Sequence, residues 1–231
     1  MTKRQPAERL TVQDARAWRQ WLDAHEESSD GVLLVLAKKG HTHPTSLTYA
    51  QALEEALCSG WIDGRRNAID ERTFQQHFTP RRAASLWSRR NVGIVAALIE
   101  EGRMRARGHR EIERAKADGR WERAYDGQAL AQVPDELARA LARSPEAAAR
   151  FAALDRAGRY AVIHRVVTAP GPAGRAHRIE RFLTRPEPAP PATSDDPRRP
   201  DAPMPPDDEW PAPQSWSAPQ QGCGSGVSNG T

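Results

Sequence analysis

The spacing of apolar residues predicts a helix followed by a buried strand near the start of the chain. Trp18, Trp21, Leu22 and His25 stand at positions i, i+3, i+4 and i+7, which places them on one face of an amphipathic helix. The run Val-Leu-Leu-Val-Leu at 32–36 is short, partly β-branched and wholly apolar, as is typical of a buried strand. We therefore expect this helix and this strand to share one core.

A second helix and two further extended segments are predicted next. Thr48 and Gln51 have the spacing of a capping box, and Gly60 is suited to the C-terminal end of the same helix. Residues 61–65 have the pattern of a strand or turn. Over 73–79, a period of two places Phe74, Gln76 and Phe78 on one face and Gln75 and His77 on the other, and a proline follows, which predicts another strand. These segments favour a small antiparallel sheet with helices packed against one side.

Helical patterns dominate the chain from residue 82 to residue 184. Ser88 is placed to cap a helix over 89–101. Other helix-like segments, several of them starting at proline or ending at glycine, lie at 107–118, 134–143, 145–156, 159–168 and 175–184. The sequence therefore predicts an α+β fold, with a small antiparallel sheet and packed helices followed by a helical C-terminal module.

Charge and proline content divide the chain further. The formal net charge of the 231 residues is +4. Residues 186–231 contain two arginines against seven acids and 12 of the 19 prolines, so we expect this segment to be a disordered, acidic, proline-rich tail. The remaining residues carry a net charge of +9, mostly from arginine, which favours anionic partners. The predicted organisation is an α+β domain at 1–130, a helical module at 131–185 and the tail.

Several classes of protein are excluded by the sequence. No apolar run approaches the ~20 residues that a membrane-spanning helix needs, and the first residues lack the apolar stretch of a secretory signal. We therefore expect a cytoplasmic protein without membrane insertion. His41 and His43 have no acidic or cysteine ligand at a suitable spacing, so we expect no metal and no cofactor. Cys58 lies within a helical pattern and is expected to be a buried, inert thiol.

The densest candidate chemistry lies between residues 61 and 91. A strand end there leads through a short turn to the start of a helix, whose first backbone N–H groups have no partner within the helix and attract anions. Arginines would add charge, hydroxyl and amide groups would add hydrogen bonds, and indoles would stack on a ring. The candidate ligand-binding residues are Trp61, Asp63, Arg65, Arg81, Arg82, Ser85, Trp87, Ser88 and Asn91.

Structural explanations exist for the same residues. Ser88 can serve only as a helix cap, Trp61 and Trp87 can belong to the core, and Asp63 can brace an arginine such as Arg81. If the residues do bind a ligand, the partner is an anionic small molecule or an acidic protein surface. Two alternatives use the same surface: nucleic-acid binding, and an enzyme acting on a small phosphorylated or carboxylated substrate.

The enzyme alternative requires a general base. Asp63 and His77 are the candidates that the sequence offers. The sequence contains no P-loop, nucleophile elbow, dinucleotide-binding, zinc-protease or paired CxxC pattern that would name a reaction. We therefore expect a non-catalytic binding protein first.

Several motifs in fixed order resemble one bacterial family. The motifs are Leu-Thr-Tyr-Ala-Gln-Ala-Leu-Glu-Glu-Ala-Leu-Cys-Ser-Gly-Trp-Ile-Asp-Gly at 47–64, Phe-Thr-Pro-Arg-Arg at 78–82, Ser-Leu-Trp-Ser at 85–88 with Asn91, Glu-Gly-Arg-Met at 101–104, and Ala-Lys-Ala-Asp-Gly-Arg-Trp at 115–121. With the arginine-rich last helix around Arg175 and Arg178, they are similar to the YdeI/OmpD-associated family, also called the bacteriocin-protection proteins. The resemblance extends over residues 10–184.

The resemblance implies a bacterial, mostly cytoplasmic protein linked to envelope stress or bacteriocin tolerance, and it supplies no established reaction. Ser59 replaces a usual aromatic residue of the family, and Arg65 replaces a common glutamine. The tail lies outside the family pattern. Together with the residues above, the resemblance predicts a stress- or bacteriocin-tolerance-related protein that binds an anionic partner through a basic, Trp-lined surface.

Overall fold

The computed structural model describes residues 7–184 and, within them, four strands and eight helices. The strands are β1 (Glu8–Leu10), β2 (Val32–Ala37), β3 (Trp61–Ala68) and β4 (Thr73–Pro80). The helices are α1 (Ala15–His25), α2 (Tyr49–Cys58), α3 (Arg89–Glu100), α4 (Ala106–Ala117), α5 (Asp135–Ala142), α6 (Pro145–Ala153), α7 (Arg156–Val167) and α8 (Gly171–Thr184). The tail predicted at 186–231 lies outside the described residues.

The sheet has the strand order β1-β2-β4-β3 and confirms the α+β fold class. The pairs β2/β4 and β3/β4 are antiparallel, as expected, whereas β1 joins β2 in parallel, so the sheet is mixed. A parallel pair needs a crossover connection, and α1 provides it. The sequence pattern does not reveal β1, because this strand is only three residues long and two of them, Glu8 and Arg9, are exposed.

The first two helices begin where their capping residues predict. The Asp14 carboxylate accepts a hydrogen bond from the Ala17 N–H at 2.9 Å, which begins α1. Thr48 and Gln51 form the complete capping box of α2. Both helices pack on one face of the sheet, where the largest fully buried side chains include Trp18, Leu53 and Phe78.

The backbones of α2 and α4 lie in close contact at Cys58 and Gly108. A Cβ built on Gly108 would lie 2.3 Å from the Cys58 carbonyl oxygen, so only glycine fits there. Beside this contact, the buried carboxylate of Glu55 accepts hydrogen bonds from Arg103 at 2.9 Å and from Arg105 at 3.2 Å. The contact and the ion pairs hold the segment between α3 and α4 against α2.

Helices α5 to α8 build a second, smaller core around residues such as Leu137 and Val166. Helix α8 begins at Gly171, four residues before the predicted start, because Pro172 is tolerated in a first helical turn. Helix α7 begins at Arg156, where the Asp155 side chain caps the Gly158 N–H at 2.6 Å. We call residues 131–184 the helical module.

Tyr125 connects the helical module with the residues before it. Its N–H donates to the Trp87 carbonyl at 3.0 Å, and its own carbonyl accepts from the Arg89 N–H at 2.8 Å. The Tyr125 ring lies edge-to-face against His164 of α7, with centroids 4.5 Å apart. A second link is the hydrogen bond at 3.1 Å from the Tyr160 hydroxyl to the Asp126 carbonyl.

Candidate functional site

The pairing of β3 with β4 decides which way the candidate side chains point. Asp63 lies opposite Phe78, and Trp61 lies opposite Pro80. Residues that face each other across a strand pair share a face of the sheet, so Asp63 lies on the same side as the buried Phe78 and helix α2. His77, one residue from Phe78, points to the other side. Asp63 and His77 therefore do not form an acid–base pair.

Both candidate indoles lie in the core. Trp61 is 0% exposed and donates its indole N–H to the Glu26 carbonyl at 3.3 Å, and Trp87 is 2% exposed. These rings pack against other aromatic residues: Trp61 against Trp18 and Trp21, and Trp87 against Trp121. The expectation that Trp61 and Trp87 line a surface as stacking platforms is therefore corrected, because neither ring offers a face to a ligand from solution.

The start of α3 is also occupied by the protein itself. The Ser88 hydroxyl caps the Asn91 N–H at 3.2 Å, and Asn91 is buried. The Arg89 N–H already donates to the Tyr125 carbonyl. Ser88 and Asn91 therefore have capping and packing roles, and two of the first N–H groups of α3 already donate within the protein.

Arg81 is the candidate residue with the most unusual surroundings. It is 4% exposed, and its guanidinium lies 3.5 Å from the centre of the Trp87 ring. Its Nη1 donates to the Leu86 carbonyl at 3.0 Å, but Nε and Nη2 are buried without a hydrogen-bond partner among the described residues. Burial lowers the pKa of Arg81 to about 10, opposed by the attraction of Asp63.

Two further donors without partners lie beside Arg81. The indole Nε1 of Trp87 and the Nη2 of Arg120 are both buried and lack a partner within residues 7–184. Arg120 donates through Nη1 to the Ser85 carbonyl at 2.7 Å, which brings it to the same turn. We call Arg81, Trp87 and Arg120 the donor cluster. Its four unpaired N–H-bearing nitrogens are unusual, since most buried polar groups have a partner.

Asp63 lies at the edge of the donor cluster. Its partly buried carboxylate accepts a hydrogen bond from the Tyr49 hydroxyl at 2.8 Å. Burial raises the pKa of Asp63, while the Tyr49 hydrogen bond and the charges of Arg81 and Arg90 oppose the rise. Arg81 and Asp63 thus attract each other without a hydrogen bond between their side chains, and Asp63 leaves the donors of Arg81 unmatched.

The remaining candidates lie apart from these donors. Arg65 is exposed on β3, next to the irregularity that shifts the pairing register between Asp63 and Arg66. The Arg82 side chain is exposed, and its N–H is held by the Ser85 hydroxyl at 2.9 Å. Ser85 therefore shapes the turn after β4, and the structure brings together only Asp63, Arg81, Ser85 and Trp87 of the predicted set.

Sequence reasoning missed Arg120 and Tyr49 as members of this neighbourhood. Arg120 lies 35 residues beyond Ser85, so only tertiary folding joins them. Both residues lie in motifs that carried the family resemblance, at 115–121 and at 47–64. Their position within these motifs was the one signal in the sequence that pointed to Arg120 and Tyr49.

The donor cluster combines donors that are paired within the protein with four buried donor nitrogens that lack an acceptor among the described residues. Two guanidiniums and an indole supply N–H groups, and a carboxylate or phosphate oxygen would complete them. Within residues 7–184, no group of three or more His, Cys, Asp or Glu side chains is placed to hold a metal ion. A search of the same residues finds no helix with the length and apolarity needed to cross a membrane.

Comparisons with known proteins divide the chain into two parts. Residues 10–111 match a family model described as a domain of unknown function, DUF8412. Residues 131–186 match the model described as "Bacteriocin-protection, YdeI or OmpD-Associated". No curated protein and no solved structure matches the chain.

The second match confirms the family resemblance where the helical module lies, and it supports a role related to bacteriocin protection. The motifs before residue 112 lie in the region that matches the DUF8412 model. The expectation that one family covers residues 10–184 is therefore limited to the region of the second match. Residues 131–186 are thus similar to the bacteriocin-protection, YdeI or OmpD-associated family.

Proposed function

We propose that this protein acts in stress or bacteriocin tolerance by binding a small anion, without catalysing a reaction, and that the donor cluster is the binding site. The ligand is a carboxylate or a phosphate group that accepts hydrogen bonds from Arg81, Trp87 and Arg120. Asp63 and Tyr49 border the site and favour a ligand that can also present a hydrogen-bonding hydroxyl or a proton.

The observation that carries the proposal is that two nitrogens of the buried Arg81, Nε and Nη2, have no hydrogen-bond acceptor among the described residues. A buried donor without an acceptor costs about 1–3 kcal/mol, and more when it is charged. An anion that reaches Nε and Nη2 would recover this free energy in a paired, charge-assisted contact. The aromatic contact with Trp87 fixes the plane of the guanidinium before the ligand arrives, which lowers the entropic cost of binding.

The Trp87 indole N–H gives a direct test, because its NMR signal reports on the donor cluster itself. Phosphate and acetate are added separately to the full chain at constant ionic strength, and the signal is assigned by its loss in Trp87→Phe. We expect a saturating shift of this signal below about 10 mM of one anion. The absence of a shift with both anions would overturn the proposal in the wild-type protein, whatever the variants do.

Arg81→Lys and Arg82→Lys form a matched pair of variants. Lysine keeps the charge of Arg81 but loses the planar donor set, so we expect binding to weaken at least about tenfold. Arg82 is an exposed neighbour, and Arg82→Lys should leave affinity unchanged. Equal losses in the two variants would contradict a site at the donor cluster.

Single-stranded DNA distinguishes the nucleic-acid alternative. A nucleic-acid-binding protein would show an affinity that falls steeply with salt, and its complex would form without a shift of the buried Trp87 indole. That result, with no response to phosphate or acetate, would replace the proposal by the alternative.

A further inference from the structure

A second basic feature lies in the helical module, between α7 and α8. Val162, Arg165 and Val166 on α7 and Arg178, Arg181 and Phe182 on α8 line a shallow cleft that is open to solvent. On each helix the three residues have the spacing i, i+3, i+4, so each set forms one stripe facing the cleft. We call this feature the arginine cleft.

The charge around the arginine cleft is strongly one-sided. Residues 156–184 contain six arginines and one acid, Glu180. The pKa of Arg165 is lowered by burial and by the nearby positive charges of Arg178 and Arg181. Three guanidiniums are thus held near one another although they repel.

Two other arginines of the module have evident structural roles, which sets Arg178 of the cleft apart from them. Arg175 forms a two-point ion pair with Glu136, at 3.0 and 3.2 Å. Arg150 donates to the Phe182 and Leu183 carbonyls at 3.1 and 2.8 Å and so completes the end of α8. Arg178 has no ion pair or side-chain hydrogen bond to another described residue, so no such contact explains the presence of an arginine at this position.

From this geometry we propose that the arginine cleft is a phosphate-binding site, taking a small molecule with a multiply charged phosphate group. Guanidiniums from two facing helices suit an anion with several terminal oxygens, since each guanidinium presents paired N–H donors. The flanking Val162, Val166 and Phe182 give the same cleft apolar walls, which suit the carbon part of a phosphate ester. This site lies on different helices from the donor cluster and does not depend on it.

Inorganic pyrophosphate is the probe for this proposal, added to the full chain at constant ionic strength while the arginine Nε–H signals are followed by NMR. We expect the signals of Arg165, Arg178 and Arg181 to shift and saturate with a Kd below about 1 mM. Arg178→Gln should weaken this binding at least about tenfold, because a charge-assisted contact is lost. Arg159→Gln, an exposed arginine of α7 outside the cleft, should leave it unchanged.

Three outcomes would overturn the proposal. The first is a lack of saturation up to about 10 mM pyrophosphate. The second is an equal loss of affinity in Arg178→Gln and Arg159→Gln, which would indicate general charge attraction. The third is a response of the same signals to duplex DNA but not to pyrophosphate, which would assign the cleft to a nucleic-acid backbone. The Trp87 indole signal, recorded in the same spectra, reports separately on the donor cluster.

Discussion

Protonation of His164 should weaken the folded state as the pH falls, and the perturbation that isolates this effect is His164→Phe. The Nε2 of His164 is buried without a hydrogen-bond partner among the described residues, and the ring packs edge-to-face on Tyr125. Burial, aided by the charge of Arg165, lowers the pKa of His164 from its ordinary 6.5 to about 4. Phenylalanine keeps the aromatic contact and does not titrate.

The magnitude follows from proton linkage. The unfolded chain takes up the proton near pH 6.5 and the folded chain only near pH 4, so stability is lost as the pH falls through this window. A tenfold difference in proton affinity corresponds to ~1.4 kcal/mol of free energy. Between about pH 7 and pH 4.5, the protonation of His164 therefore lowers the free energy of unfolding by about 2.5 kcal/mol. Because the ring is partly exposed, we reduce the expected loss to about 2 kcal/mol.

Urea unfolding followed by circular dichroism measures this loss. The difference in the free energy of unfolding between His164→Phe and wild type should shift by about 2 kcal/mol in favour of the variant when the pH is lowered from about 7 to 4.5. His177→Phe, at an exposed position of α8, is the control and should show no such shift. A pH-independent difference for His164→Phe would refute the reasoning.

Two further predictions concern the contact between α2 and α4. Gly108→Ala should lower the free energy of unfolding by about 3 kcal/mol in a urea titration, because the added methyl group meets the Cys58 carbonyl. The control is Gly93→Ala on α3, where the methyl group enters open space and should raise the free energy of unfolding by about 0.5–1 kcal/mol. Equal effects of the two substitutions would contradict the close contact. Burial raises the pKa of Cys58 to about 11. When the second cysteine of the sequence, Cys223, is replaced by serine, a colourimetric thiol reagent should react with Cys58 only after denaturant is added, and immediate reaction would show an accessible thiol.

Local signals in the sequence predicted the parts of the fold that depend on local physics. The caps at Asp14, Thr48 and Ser88 are in place, because a capping side chain bonds an amide only two or three residues away. The alternation along β4 also holds, with Phe74 and Phe78 buried on one face. Strand β1 escaped prediction because its pairing with β2 is tertiary and its own residues are mostly polar.

The candidate site was only partly predictable, for a different reason. A tryptophan beside arginines has the same sequence pattern whether it lines a surface or fills a core, and Trp61 and Trp87 fill the core. Arg81 was identified from its position after β4, but its unpaired nitrogens depend on what the rest of the chain fails to supply. Arg120 reaches Ser85 from another part of the chain, and no local spacing encodes that approach.

Tyr125 contacts both the donor cluster and the helical module. Its backbone N–H donates to the carbonyl of Trp87, a residue of the donor cluster, while its ring packs against His164 of α7. A displacement of Tyr125 would therefore disturb both the backbone beside Trp87 and the aromatic contact that α7 makes through His164.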